Sequence, residues 1–196
     1  MKICIYGASG KDLDPAYFAA AEELGRLMAQ EGHSLVFGGG AGGLMGACAR
    51  GASAQGGEIV GVAPRFFDEP GILFPGCSRF VFTETMRERK AAMEELSDAF
   101  IVLPGGIGTF EEFLETLTLK QLGRLDKNIA LLNTLGYYDD MLRLLEHAAE
   151  GRFLSRACLK LFTLCATPEE ALRHVCTAAP LSGSLRRLAD YVKNED

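Results

Sequence analysis

Cys-x-x-Cys pairs, clustered histidines and apolar runs of membrane-spanning length are all missing from this chain of 196 residues. The six cysteines, Cys4, Cys48, Cys77, Cys158, Cys165 and Cys176, are scattered, as expected of reduced, packed thiols rather than of a disulfide frame or zinc site. His33, His147 and His174 are likewise far apart, so no metal constellation is expected. With no transmembrane-length run, and no basic segment leading into an apolar one after Met1-Lys2, the expectation is a cytoplasmic protein without a membrane partner. The formal net charge of -6 argues against a nucleic-acid partner held by a broad phosphate-reading face; an anionic ligand must be small and met by a local cluster of donors. No repeat or low-complexity tract occurs. The length suits one α/β domain over residues 1–196, with 180–196 a polar C-terminal tail or a surface helix from Ser184.

What the chain does have is a series of short apolar runs that break into glycine. The central one is Ala99-Phe100-Ile101-Val102-Leu103, a buried parallel strand by composition, which breaks at Pro104-Gly105-Gly106-Ile107-Gly108-Thr109. Helical periodicity resumes at Phe110, Phe113, Leu114 and Leu117, so the glycines occupy a strand-to-helix turn. Such a turn lets backbone approach a ligand closely and points the free N–H groups and positive dipole end of the next helix outward, which suits a phosphate. It lacks the spacing of the phosphate loop that ends in Gly-Lys-Ser/Thr, and a tight turn with no ligand is the alternative.

The runs before it follow the same plan. Lys2-Ile3-Cys4-Ile5-Tyr6 ends in Gly7-Ala8-Ser9-Gly10, and Asp14-Pro15 opens a helix with Phe18, Ala21, Leu24 and Leu27-Met28 at helical spacing. Gly10-Lys11 resembles the tail of a phosphate loop, but Ile5 stands at its first glycine and Asp12 at its hydroxyl. Ser34-Leu35-Val36-Phe37 runs into Gly38-Gly39-Gly40-Ala41-Gly42-Gly43, and a helix continues from Leu44 to about Ala54. Gly38, Gly40 and Gly43 match G-x-G-x-x-G, yet Glu58 precedes the strand Ile59-Val60-Gly61-Val62 instead of ending it, which argues against NAD. Close helix-to-sheet packing explains these glycines equally well. Ala63 to Cys77, with three prolines and Phe66-Phe67, is long enough to form a rim over a ligand site, with Glu69 turned inward.

After the strand Arg79-Phe80-Val81-Phe82, Thr85 and Glu88 make a capping box that fixes a helix start. Met86, Met93, Leu96 and Phe100 mark its inward stripe, and Arg89 falls on that stripe where an apolar residue is expected. A guanidinium turned inward needs an anionic partner: a bound phosphate, an internal carboxylate, or solvent reached along its own stem. Arg87 and Glu94-Glu95 lie off the stripe and read as solvated. Further on, Asn128-Ile129-Ala130-Leu131-Leu132 is another buried strand, Gly136-Tyr137-Tyr138 leads into a helix through Ala148, a last strand falls within Leu161–Cys165, and Thr167-Pro168 starts a final helix.

Taken together, Pro104-Gly105-Gly106-x-Gly108-Thr109-x-x-Glu112, the Arg89-Lys90 pair after Met86, and Gly38-Gly39-Gly40-x-x-Gly43-Leu44-Met45-Gly46 resemble the Lonely Guy family, the cytokinin riboside 5'-monophosphate phosphoribohydrolases once labelled lysine decarboxylases. The likeness covers about Lys2 to Ala178; Arg87 stands where the family commonly has His. It implies a doubly wound, Rossmann-like parallel sheet flanked by helices in three layers, a homodimer, and hydrolysis of a nucleoside 5'-monophosphate to free base and ribose 5-phosphate. It implies Arg89 and Glu112 as the catalytic pair. Lys90, Gly105, Gly106, Ile107, Gly108, Thr109, Phe110, Glu111 and Thr118, with Met86 and Gly40, correspond to substrate-contacting positions, and no cofactor or metal is implied. From the residues alone, Thr109 and Glu112 also fit a capping box, which would make Glu112 structural. A carrier module that binds nucleotide without turnover remains the alternative. The old decarboxylase label requires a pyridoxal-phosphate lysine, and Lys90, Lys120 and Lys127 carry no signature for one.

Overall fold

In a computed structural model that describes residues 1–179, seven parallel strands form one sheet. They are β1 (Lys2–Tyr6), β2 (Ser34–Phe37), β3 (Ile59–Pro64), β4 (Arg79–Thr83), β5 (Ala99–Val102), β6 (Asn128–Leu132) and β7 (Thr163–Cys165), in the order β4-β3-β2-β1-β5-β6-β7. The tail expected over 180–196, with its helix from Ser184, lies outside the described residues. Between the strands run α1 (Pro15–Gln30), α2 (Gly43–Ala54), α3 (Met86–Leu96), α4 (Ile107–Gln121) and α5 (Asp139–Glu150), and α6 (Pro168–Thr177) follows β7.

Strand alternation explains the three layers. Ile3 and Ile5 of β1, Leu35 and Phe37 of β2 and Ile101 of β5 point to one face, where they join Leu24 and Met28 of α1, Leu44 and Cys48 of α2 and Leu172 of α6. Cys4, Tyr6, Val36, Val60, Phe100 and Val102 point to the other, against Met93 of α3 and Phe113 and Leu117 of α4. Both faces of the central strands are therefore apolar, which is why they read as unbroken runs. Each large side chain buried this way contributes roughly 1.5–3 kcal/mol. The six cysteines form no disulfide. Among the described residues no helix is long and apolar enough to cross a membrane.

The strand order reverses between β1 and β5, which pair in register from Ile3↔Ala99 to Tyr6↔Val102. A crevice outside the carboxyl ends of the strands at such a switch point is the usual ligand position in open α/β sheets. The turns after β1 and β5 meet there, with Ala8 N–H donating to Pro104 O at 3.0 Å.

Four local expectations change. The helix after β5 begins at Ile107, not Phe110, with Gly106 as its N-cap and no side-chain cap, so Thr109 and Glu112 do not form a capping box. Glu69 is exposed rather than turned inward, since its chain belongs to the outer bend of the β3–β4 segment. Met86 and Leu114 are exposed at 41% and 42%, so the inward stripes of α3 and α4 are narrower than the spacing suggests. Glu94 is half-buried, its backbone carbonyl accepting from Lys127 Nζ at 2.5 Å, whereas Arg87 and Glu95 are solvated as expected.

Candidate active site

Arg89 is positioned by a well-formed helix start. Thr85 Oγ1 accepts from Glu88 N–H at 3.1 Å and the Glu88 carboxylate accepts from Thr85 N–H at 3.3 Å, so α3 begins where the sequence places it and turns Arg89 inward one turn later. The guanidinium is nearly buried. Its Nε donates to Val62 O at 3.1 Å and its Nη1 to Glu112 Oε1 at 3.1 Å. The internal carboxylate is thus the partner observed, and breaking a buried pair of this kind costs about 3–5 kcal/mol. The guanidinium has room because the residue beneath it is Gly38: a Cβ there would fall 1.9 Å from Arg89 Nη2.

Glu112 lies on the inward face of α4, about 9 Å along the axis from Gly106. Burial raises its pKa above the ordinary carboxylate value, and the neighbouring Arg89 offsets part of that rise. A glutamate with a raised pKa, held by a guanidinium near the carboxyl ends of the strands, is a candidate for work on a developing positive charge. Next to it, Lys90 pairs with both Glu111 and Glu115 across the α3–α4 contact. Burial works against the charged amine, but those two carboxylates hold its pKa above the usual lysine range.

The turn itself leaves backbone donors free. The first N–H groups of α4 have no intrahelical partner by geometry, and no side chain caps them. Gly106, Ile107 and Gly108 are exposed, and apart from adjoining residues and the helix's own backbone no atom lies within 4 Å of where a Cβ would be at Gly106 or Gly108. Gly105 and Thr109 are buried beneath them, and Phe110 is half-buried. Gly40, half-buried, is bridged to Leu73; with Ala41 N–H donating to Ile72 O at 2.9 Å, this ties the β3–β4 segment alongside the β2–α2 turn as a rim. Met86 is exposed at the start of α3. Thr118 is not brought to the turn: it lies on the outward face of α4, about 18 Å along the axis from Gly106, with its hydroxyl donating to Leu114 O at 2.7 Å.

Two residues at this site carried no sequence signal. Tyr137 donates its hydroxyl to Gly105 O, and Tyr138 donates to Leu103 O at 2.7 Å. Both follow β6, and only the adjacency of β6 and β5 brings them to the turn.

These features define a class: a doubly wound α/β domain with an uncapped helix start and a buried arginine–glutamate pair at its switch point. The family model described as "Possible lysine decarboxylase" matches residues 45–175. A cytokinin riboside 5'-monophosphate phosphoribohydrolase of Rhodococcoides fascians is 42% identical over 157 residues, 80% of this chain and 79% of that protein. One of Arabidopsis thaliana is 35% identical over 196 residues, covering 100% of this chain and 85% of that protein. The chain belongs to the Lonely Guy family of cytokinin riboside 5'-monophosphate phosphoribohydrolases. The fold is shared with the molybdenum cofactor binding protein of Rippkaea orientalis, at a TM-score of 0.70 and 23% identity over 90% of this chain and 95% of that one.

Proposed function

We propose that this protein hydrolyses the N-glycosidic bond of cytokinin riboside 5'-monophosphates, and of adenosine 5'-monophosphate, to give free base and ribose 5-phosphate. The observation that carries the reading is the buried Arg89–Glu112 pair, 3.1 Å apart, beside the uncapped start of α4. The N–H groups from Gly105 to Thr109 bind the 5' phosphate, where the helix dipole favours negative charge. The sugar then lies along α4 toward Glu112. Cleavage passes through an oxocarbenium-like ribose, so the Glu112 carboxylate stabilises the growing positive charge and orients the attacking water. Arg89 holds Glu112 in place and hydrogen-bonds substrate oxygens; a guanidinium is a poor proton donor, so water or another group supplies the proton for the leaving base. Lys90, Glu111, Phe110, Met86 and Gly40 line the surrounding surface.

A homodimer fits the outer face of α4. Ile107 and Leu122 are exposed at 87% and 55%, and Ile107, Phe110, Leu114, Thr118 and Leu119, with Glu111 and Glu115, line a mostly apolar groove of about 600 Å³ that a second copy would cover. Thr118 would meet substrate only at the mouth between two such copies. The non-catalytic carrier reading has only the shared fold behind it. Product chromatography over a panel of nucleoside monophosphates tests the proposal: free base and ribose 5-phosphate are expected in equal amounts, and intact nucleotide throughout would refute it.

A further inference from the structure

We propose that Tyr137 is a positioning residue for the phosphate-binding turn, acting through a peptide carbonyl. Three consecutive carbonyls of the turn are each tied to a protein donor: Leu103 O accepts from the Tyr138 hydroxyl, Pro104 O from Ala8 N–H and Gly105 O from the Tyr137 hydroxyl. In a trans peptide the C=O and the following N–H point in opposite directions. Holding Gly105 O against Tyr137 therefore turns the Gly106 N–H away from Tyr137, and holding Pro104 O against Ala8 does the same for Gly105 N–H. Within the described residues, neither N–H donates to a protein acceptor. The turn thus presents donors and keeps its carbonyls, which would repel a phosphate, engaged elsewhere.

The tyrosine is itself held from several sides. Asn133 Oδ1 accepts from Tyr138 N–H at 2.7 Å, and Asn133 Nδ2 donates to Asp139 Oδ1 at 2.7 Å. Between them Leu135 sits at φ 55°, left-handed backbone that a leucine adopts only when its surroundings impose it. The Tyr137 ring stacks near Phe110 of α4, centroids 6.5 Å apart, and meets Tyr17 of α1 edge-on at 6.0 Å. A loop closed this firmly, with two hydroxyls on the backbone of one turn, is a brace. Tyr138 is fully buried and serves the core as well; Tyr137 is 37% exposed, so loss of its hydroxyl leaves the packing intact.

This inference rests on the turn being the phosphate site, and its test does not require turnover. With the full chain, calorimetric binding of adenosine 5'-monophosphate and of adenosine is compared between wild type and Tyr137→Phe. The nucleotide is expected to bind about three- to tenfold more weakly to the variant, the range of one neutral hydrogen bond, while adenosine binding is unchanged. In the hydrolase assay the same substitution is expected to raise KM with kcat within about twofold. Equal nucleotide affinity in the two proteins would overturn the proposal, as would an equal loss for nucleotide and nucleoside or a weakening that merely tracks lost folded protein. If wild type binds nucleotide but cleaves none, the hydrolase reading fails and this one still stands or falls by the affinities.

Discussion

Two glycine-rich turns leave the same edge of the sheet, and they spend their glycines differently. In the β2–α2 turn the missing side chains make space for protein: Gly38 accommodates the Arg89 guanidinium, and Gly43, at φ 60°, would place a Cβ 2.2 Å from Ala8 O. In the β5–α4 turn Gly106 and Gly108 face open space. The first turn makes room for neighbouring protein atoms, and in the proposed function the second meets the ligand. Glycine spacing alone does not separate these roles, because it records where a Cβ is unwelcome and not what excludes it.

The comparison can be broken most severely at the arginine that the first turn accommodates. Arg89→Ala is expected to cut base release by about a thousandfold or more and to weaken nucleotide binding, since it removes both a charged donor and the partner of Glu112. It also leaves a buried carboxylate unpaired, so a stability loss of about 3–5 kcal/mol is expected at neutral pH in denaturant melts. The sign with pH follows from the raised pKa of Glu112. A carboxyl whose folded pKa lies above its unfolded one stabilises the fold below the unfolded value and loses that contribution as pH rises through the folded one. The penalty of the variant should therefore shrink on acidification toward the ordinary glutamate range.

Gly38→Ala probes the same guanidinium without removing it. The group struck is a buried guanidinium held by Val62 O and Glu112, so stability should fall, by less than the roughly 3–5 kcal/mol of losing the pair outright, while kcat falls by roughly tenfold to a hundredfold from misplacement. Gly108→Ala sharpens the contrast at the other turn. It sits in the first turn of α4 with space around it, so stability should rise by up to about 1 kcal/mol, whereas nucleotide affinity should fall several-fold because the new methyl faces the phosphate. Equal losses of affinity in the two variants would erase the distinction between the turns. The smallest effect expected is on the pH profile: if ionised Glu112 is needed, the acid limb of kcat/KM lies above the pH of an ordinary glutamate, because burial favours its neutral form.

Much of this was legible in the residues. Seven runs gave seven strands, the central ones apolar throughout because they are buried on both faces, and Arg89 stood out as a charge on an apolar stripe. The start of α4 was not legible. Thr109-x-x-Glu112 mimics a capping box, but the helix begins earlier, at Ile107 after Gly106, a residue with no side chain to mark the start. Nor could Tyr137 and Tyr138 be assigned from sequence, because their partners lie 32 and 35 residues away on the neighbouring strand's turn. Gly38 was visible as a glycine, but the guanidinium beside it comes from α3 and is a tertiary fact.

The most direct test of the pair at the switch point is Glu112→Gln, which keeps the shape and removes the charge. With N6-isopentenyladenosine 5'-monophosphate, chromatography should show free base from the wild type and almost none from the variant, while calorimetry shows the variant still binding the nucleotide. Base release by the variant at the wild-type rate would contradict the account.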